Sequence, residues 1–279
     1  MPVTAGNAFA DAIRPWPDAS RVTASVLLWV GWTIVLVATL VPRPWALTVT
    51  RFGLPIAFGA AVVVAATGRP STIAAALAIV LTAVAVLLGA RGEFARVCAQ
   101  GAAYGDEERF PLKVPPALLL GILPIAIAIV AGALVVGPLL LANREWVAAA
   151  VTLGVCVPVG AAVVRLVHQL SRRWVVLVPA GLVIADPLTL TDPVLFPRAA
   201  IMGLGPADPS RRPPEDACDL RLGASFGSCA VLLAEDADLM RRVRNQGVAV
   251  RANLVLITPT GAPRLFERAR ARRIPVRTD

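Results

Sequence analysis

Carboxylates and guanidinium groups are the residues in this chain whose clustering could do chemistry. Asp106, Glu107 and Glu108 stand together in a polar stretch, two residues after Tyr104, the one tyrosine. Three adjacent acids can hold a cation or pair with distant arginines. The plainer reading is a solvated loop balanced by Arg109 and Lys113. Near the C-terminus Arg264, Arg268 and Arg272 recur every fourth residue, so on a helix they form one row. Arg172 and Arg173 add a second basic pair. Cations of this kind attract anionic lipid headgroups at ~1 kcal/mol each near a charged leaflet. The five arginines are the candidate lipid or partner surface; Tyr104 and the three acids are the candidate functional loop.

Catalytic groupings are not expected. The single histidine, His168, cannot build a Ser–His–Asp triad or a histidine-rich metal site. No G-x-x-x-x-G-K-S/T loop, no G-x-G-x-x-G opening a helix and no G-x-S-x-G elbow occurs. The four cysteines, Cys98, Cys156, Cys218 and Cys229, show no C-x-x-C spacing and read as small apolar residues. The expected catalytic, cofactor and metal residues are therefore none, and the chain is expected not to be an enzyme. From Gln169 onward there are 16 arginines and 11 acids, a balance of +5 out of the +9 of the whole chain. The same stretch has few aromatics for stacking on bases, so a nucleic-acid partner is not expected.

The elements that must position these residues fall into two kinds. The 279 residues are 57% hydrophobic and 16% charged, which places the chain in the membrane class. After a polar leader, 1–21, apolar runs near 22–41, 48–67, 72–90, 115–142 and 147–168 each approach the ~20 residues a spanning helix needs. Arg51 interrupts the second run and is expected to snorkel from it. Pro124, Pro138 and Pro158 predict bends in the last two. The turn between the second and third runs is placed at Gly68–Ser71. With the C-terminal part taken as cytosolic, the inner loops hold six basic residues (Arg43, Arg51, Arg91, Arg96, Arg109, Lys113). The outer segments hold four (Arg14, Arg21, Arg69, Arg144). That asymmetry favours a cytosolic C-terminal domain. The membrane domain is thus set at 22–170 and a water-facing β domain at 171–279.

In the second part, 174–178 and 182–185 read as a strand, turn and strand. Short strands at 194–196 and 199–204, a Pro-rich loop at 205–217 and alternating runs at 218–224 and 228–234 follow. Residues 235–247 read as a charged connection with a helical turn near Leu239. Then come a long strand or a pair of strands over 248–257 and an amphipathic helix over 263–273 with the arginine row facing away from the sheet. The segments WVVLVPAGLVIAD, LFPRAAIMGLG, LVLITPT and APRLFERARARR resemble the strands and closing helix of a bacterial pleckstrin-homology-like domain. The loop AYGDEERFPLK and the seam RLVHQLSRRWVVLVPAGLV are similar to uncharacterised multi-pass actinobacterial membrane proteins. The resemblance implies a small barrel-like β fold with a C-terminal helix.

The spanning runs carry their charges at their ends, unlike a typical ion-coupled transporter. The expected function is non-enzymatic docking or regulation by the β domain at the plasma membrane. The expected partners are the lipid bilayer, anionic headgroups or a protein. The alternative is a transporter or permease-like subunit whose β domain regulates it.

Overall fold

The computed structural model describes residues 5–67, 71–208, 213, 214, 216–244 and 246–277. The expected turn at 68–70 and part of the Pro-rich loop, at 209–212 and 215, lie outside them. The chain divides into two compact units. One comprises Met1–Phe94 and Gly121–Val167, the other Ala95–Leu120 and His168–Asp279.

In the first unit α1 (Ala5–Ile13) precedes α2 (Asp18–Leu40), α3 (Pro44–Thr67) and α4 (Thr72–Gly89); α5 (Gly92–Gln100) then leads into the second unit. Among the described residues five helices are long and apolar enough to cross a membrane: α2, α3, α4, the segment Leu120–Ala142 and Trp146–Leu170. Only between 11% and 17% of each is buried within the chain. Exposed apolar flanks of that extent need a hydrocarbon solvent.

The helix starts follow local chemistry. Ser71 caps α4 by accepting the Ala74 N–H at 3.3 Å. Pro44 opens α3, where its missing N–H costs nothing, so α3 begins four residues before the expected 48. The leader is not simply polar coil. Its α1 buries Ala8 against Ala61 of α3 and Ala78 of α4, three small residues that permit close helix approach.

The fourth span is built from α6 (Leu123–Ala131) and α7 (Gly137–Ala142), each preceded by a π-helical turn, Leu118–Ile122 and Gly132–Val136. Pro124 and Pro138 lie one residue into α6 and α7. A proline ring displaces the carbonyl four residues back, and the wider i→i−5 turn accommodates it. The bond from Gly137 N–H to Gly132 O is of this wide kind. α8 (Trp146–Leu170) packs over Gly132, where a Cβ would come within 2.8 Å of the Cys156 Sγ.

The second unit carries two sheets. The first has the order β1 (Glu108–Pro111), β2 (Trp174–Val178), β3 (Gly181–Ala185) and β4 (Val194–Pro197), all antiparallel. In the second, β5 (Ile201–Pro206) pairs β7 (Cys229–Val243), β7 pairs β8 (Gln246–Ile257), and β6 (Ala217–Asp219) lies parallel to β8. The helix α9 (Ala262–Ala271) closes the unit, with Pro263 in its first turn.

Three features depart from the sequence expectations. First, the water-facing unit does not begin at 171. The loop after α5 supplies β1, whose Arg109 and Phe110 sit opposite Val176 and Val175. Second, 235–243 is not a helical connection. It continues β7 through a bulge between Leu232 and Ala237, which takes up Glu235 and Asp236 while Leu239 still points inward. Third, two sheets stand where a barrel-like domain was expected. Single bridges, Leu112–Pro259 and Leu190–Arg241, connect them without a closed ladder.

The core explains the pattern of apolar residues. Val175, Leu177, Leu182, Ile184, Phe110, Val231, Val255 and Ile257 pack with Leu265 and Ala269 of α9. The opposite face of β2, Trp174 and Val176, is covered by Ala99 of α5. With both faces covered, β2 reads as a continuous apolar run instead of an alternating one.

Cys98, Cys218 and Cys229 are buried thiols that form no disulfide. Burial pushes the Cys229 thiol up to about 12, against the opposing charge of Lys113. Burial also raises Cys218, opposed by Arg241 and aided by Asp219. A thiol raised in the folded state favours folding below the ordinary thiol range, ~8.5. That contribution fades between there and about 12 as the unfolded chain ionises. Iodoacetamide at pH 8 is expected to modify these thiols at least tenfold more slowly in the native protein than in denaturant. Mass spectrometry reads the result, and equal rates would contradict the burial.

Candidate functional site: an arginine row on the acidic loop

The candidate loop is held by its own side chains. Gln100, the last residue of α5, accepts the Arg109 N–H at 2.9 Å and donates to the Glu107 carbonyl at 2.9 Å, a substitute for a ladder on the outer edge of β1. Glu107 accepts the Tyr104 N–H and pairs with Arg109 at 2.6 Å. The Arg109 guanidinium lies 4.7 Å from the centre of the Trp174 ring, a cation–π arrangement. Glu107 is therefore a loop-building residue, whereas the Tyr104 ring is 91% exposed.

The two other acids meet the arginine row. Glu108 lies 3.4 Å from Arg264 Nε and 3.2 Å from Arg268 Nε. Asp106 receives Arg272 twice, on its carboxylate and on its carbonyl, each at 3.0 Å. Strand alternation is the reason. Glu108 shares the face of Phe110, and Phe110 points into the core where α9 packs its Leu265 and Ala269. Residues 264, 268 and 272 flank that apolar stripe by one position and so reach the acids. The row expected to face away from the sheet instead lies along β1.

Each pair has one solvent-exposed partner, the arginine in the Arg264 and Arg268 pairs and the acid in the Asp106 pair, and each contributes ~0.2–1 kcal/mol at low salt. Glu108→Arg is expected to lower the unfolding midpoint by a few degrees at low salt and less at 1 M NaCl. Adding Arg268→Glu should recover part of the loss. No recovery in that cycle would show that the pairing is not energetic.

No family model, curated protein or solved structure matches the chain. The site therefore rests on its own geometry.

The two seam arginines part company. Arg172 is exposed. Arg173 is 1% exposed and is withdrawn from the candidate surface. Its Nη2 lies 2.8 Å from Asp186 Oδ2 and donates to the Leu220 carbonyl at 2.8 Å; its Nη1 reaches the Lys113 carbonyl at 3.4 Å. Asp186 in turn accepts the Leu188 N–H at 3.1 Å. One guanidinium thus ties together β3, the segment after β1 and the segment after β6. Sequence reasoning missed this because adjacent arginines after a span resemble a lipid-facing pair. The signal available was Asp186, an acid closing an otherwise apolar strand.

A further ion pair sits beside this junction. Arg221 grips Asp219 with two bonds, 2.9 and 2.8 Å, and also reaches Ser228 Oγ at 3.3 Å. Burial opposes ionisation of Asp219, but the Arg221 hydrogen bonds and the charges of Arg221 and Arg241 outweigh it and hold the carboxyl below its ordinary value. The lowered value means that this stabilisation is present above the ordinary carboxylate range and is lost as pH falls through the folded value. Among the described residues no three His, Cys, Asp or Glu side chains converge as metal ligands.

Proposed function

We propose that this is a non-enzymatic multi-pass plasma-membrane protein. Its second unit acts as a cytosolic, pleckstrin-homology-like docking or regulatory module. The observation that carries the reading is the threading of the chain. The loop between the third and fourth spans supplies α5 and β1, so the unit is continuous with the fourth span at Leu120 and with α8 at Leu170. A ligand that shifts β1 or β2 pulls directly on spanning helices, which suits a regulatory module better than a domain on a free tether. The excess of basic residues on 42–51 and 91–114 supports the cytosolic side.

A protein partner is favoured over the anionic inner leaflet. Two of the acids nearest the arginine row, Glu108 and Asp106, already offset much of its charge. The far end of the β7–β8 hairpin offers exposed Met240, Val243 and Val248 beside Arg242 and Arg244. The test uses the full chain in cells, with photo-crosslinking residues at Met240 and Val248. Protein adducts that disappear when Val243 and Arg244 become aspartate are expected. A complete lack of adducts, or modification of an Arg251→Cys variant by an impermeant maleimide from outside the cell, would overturn the reading.

The π-helical turns of the fourth span favour a second reading, a permease-like component regulated by the same unit, because such turns cluster at working sites in helices. Solute flux into proteoliposomes that is lost in Pro124→Ala or Pro138→Ala would place that reading first.

A further inference from the structure

The loop 220–228 of the second unit presents two apolar side chains to its surroundings. Phe226 is 90% exposed and Leu222 is 41% exposed. A mobile loop would need no explanation, but this one is pinned at every turn. Arg173 donates to the Leu220 carbonyl at 2.8 Å, and Lys113 Nζ donates to the Phe226 carbonyl at 2.7 Å. Thr258 Oγ1 donates to the Ala224 carbonyl at 3.0 Å, and Ser228 Oγ to the Ser225 carbonyl at 2.6 Å. Leu222 is held at φ 54°, a left-handed conformation that disfavours a branched side chain. Gly227 sits at φ 72°, in the left-handed region that favours glycine, and a Cβ there would come within 2.8 Å of Lys113 Nζ, displacing the tip of that anchor. The backbone that carries Phe226 is thus held while its ring stands exposed.

The anchors say where. Arg173 follows the end of α8 by three residues, and Lys113 precedes Leu120, the start of the fourth span, by seven. At ~3.6 Å per residue at most, Arg173 stays within about 11 Å of Leu170, and Lys113 within about 25 Å of Leu120. The loop is hydrogen-bonded to both. The covalent chain therefore ties both anchors of the loop to the ends of two spanning helices. The same unit has a far end. β7 and β8 leave this loop region at Cys229 and Ile257 and run to the Val243–Gln246 turn, eleven ladder positions or ~36 Å away.

We propose that the 220–228 loop is an interfacial membrane anchor. Phe226 and Leu222 enter the boundary between headgroups and acyl chains of the bilayer that the protein itself spans, and Lys113 holds the loop at that depth. Aromatic side chains favour this layer, and a rigid loop loses little entropy on insertion. The anchor sets the orientation of the β unit on the membrane without any charge–lipid contact from the α9 arginines.

The test uses the full chain in lipid nanodiscs, in a Cys156→Ala background whose other three thiols are buried. An environment-sensitive fluorophore is attached at Phe226→Cys or, as the control, at Val248→Cys, which is 45% exposed and near the far turn. Both positions are exposed, so folding is not at stake. With lipids bearing a nitroxide just below the headgroup, the label at 226 is expected to be quenched at least threefold, and the label at 248 by less than a fifth. Equal quenching at the two positions overturns the proposal. A blue-shifted but unquenched label at 226 also overturns it, since protein and not lipid would then cover the loop.

Discussion

Removing the Arg173 side chain is expected to be among the most damaging single changes in the β unit. Arg173→Ala leaves the Asp186 carboxylate buried at 0% side-chain exposure with its counter-charge gone, and leaves the Leu220 carbonyl without its donor. An uncompensated buried charge of this kind costs about 3–5 kcal/mol. Asp186→Asn should cost a similar amount from the other side of the pair. The double variant Arg173→Met, Asp186→Leu is expected to lose clearly less than the sum of the two, because the pair repays its own desolvation only while both members are present. Denaturant unfolding of the purified full-length protein, followed by hydrogen exchange on β2 and β3, reads these differences. Single variants with wild-type midpoints would show that water reaches the pair and that the burial is wrong.

The second large effect concerns β1. Residues 172–279 expressed without the loop between α4 and the fourth span are expected to aggregate. Without β1 the edge of β2 from Trp174 to Leu177 is unpaired, and the pocket filled by Phe110, which is fully buried, stands open. A long apolar edge strand in that state invites pairing with other chains. In the intact protein Phe110→Ala alone should cost about 3–5 kcal/mol, the usual price of an emptied aromatic site. That loss should appear as faster hydrogen exchange in β2 and β3, more than sixty residues away in sequence. Joining 103–113 to the N-terminus of 172–279 through a flexible linker should restore a soluble, cooperatively unfolding domain. A fragment 172–279 that is monomeric and folded by itself would refute the role of β1.

Both outcomes turn on residues whose type was plain in the sequence but whose place was not. Arg172 and Arg173 are identical in composition and adjacent in sequence. One is exposed and the other is buried on Asp186, because the strand that starts at Trp174 turns alternate residues inward. Asp106, Glu107 and Glu108 likewise look like one acidic cluster. The strand places Glu108 toward α9, turns Arg109 onto Trp174, and leaves Glu107 to close its own loop. The pairing of acids with C-terminal arginines was legible as one of three readings of the loop, beside a bound cation and a solvated loop. Its geometry was not, since it depends on a helix some 150 residues later.

The five spans were readable because the property that makes them is local: about twenty apolar residues must satisfy their backbone within one helix, whatever surrounds them. The π turns, too, sit where Pro124 and Pro138 demand them. Helix α9 and the strands β2, β3 and β8 likewise follow from local sequence, the helix from its periodicity and β2 from its short apolar run. Membership of the β unit was decided elsewhere. A strand edge is completed by whichever segment the fold brings beside it, and nothing within 103–113 records that its partner begins at Trp174. Non-local pairing, bulge placement and the burial of one arginine from a pair are properties of the packed chain, because each depends on free energy shared between segments far apart in sequence.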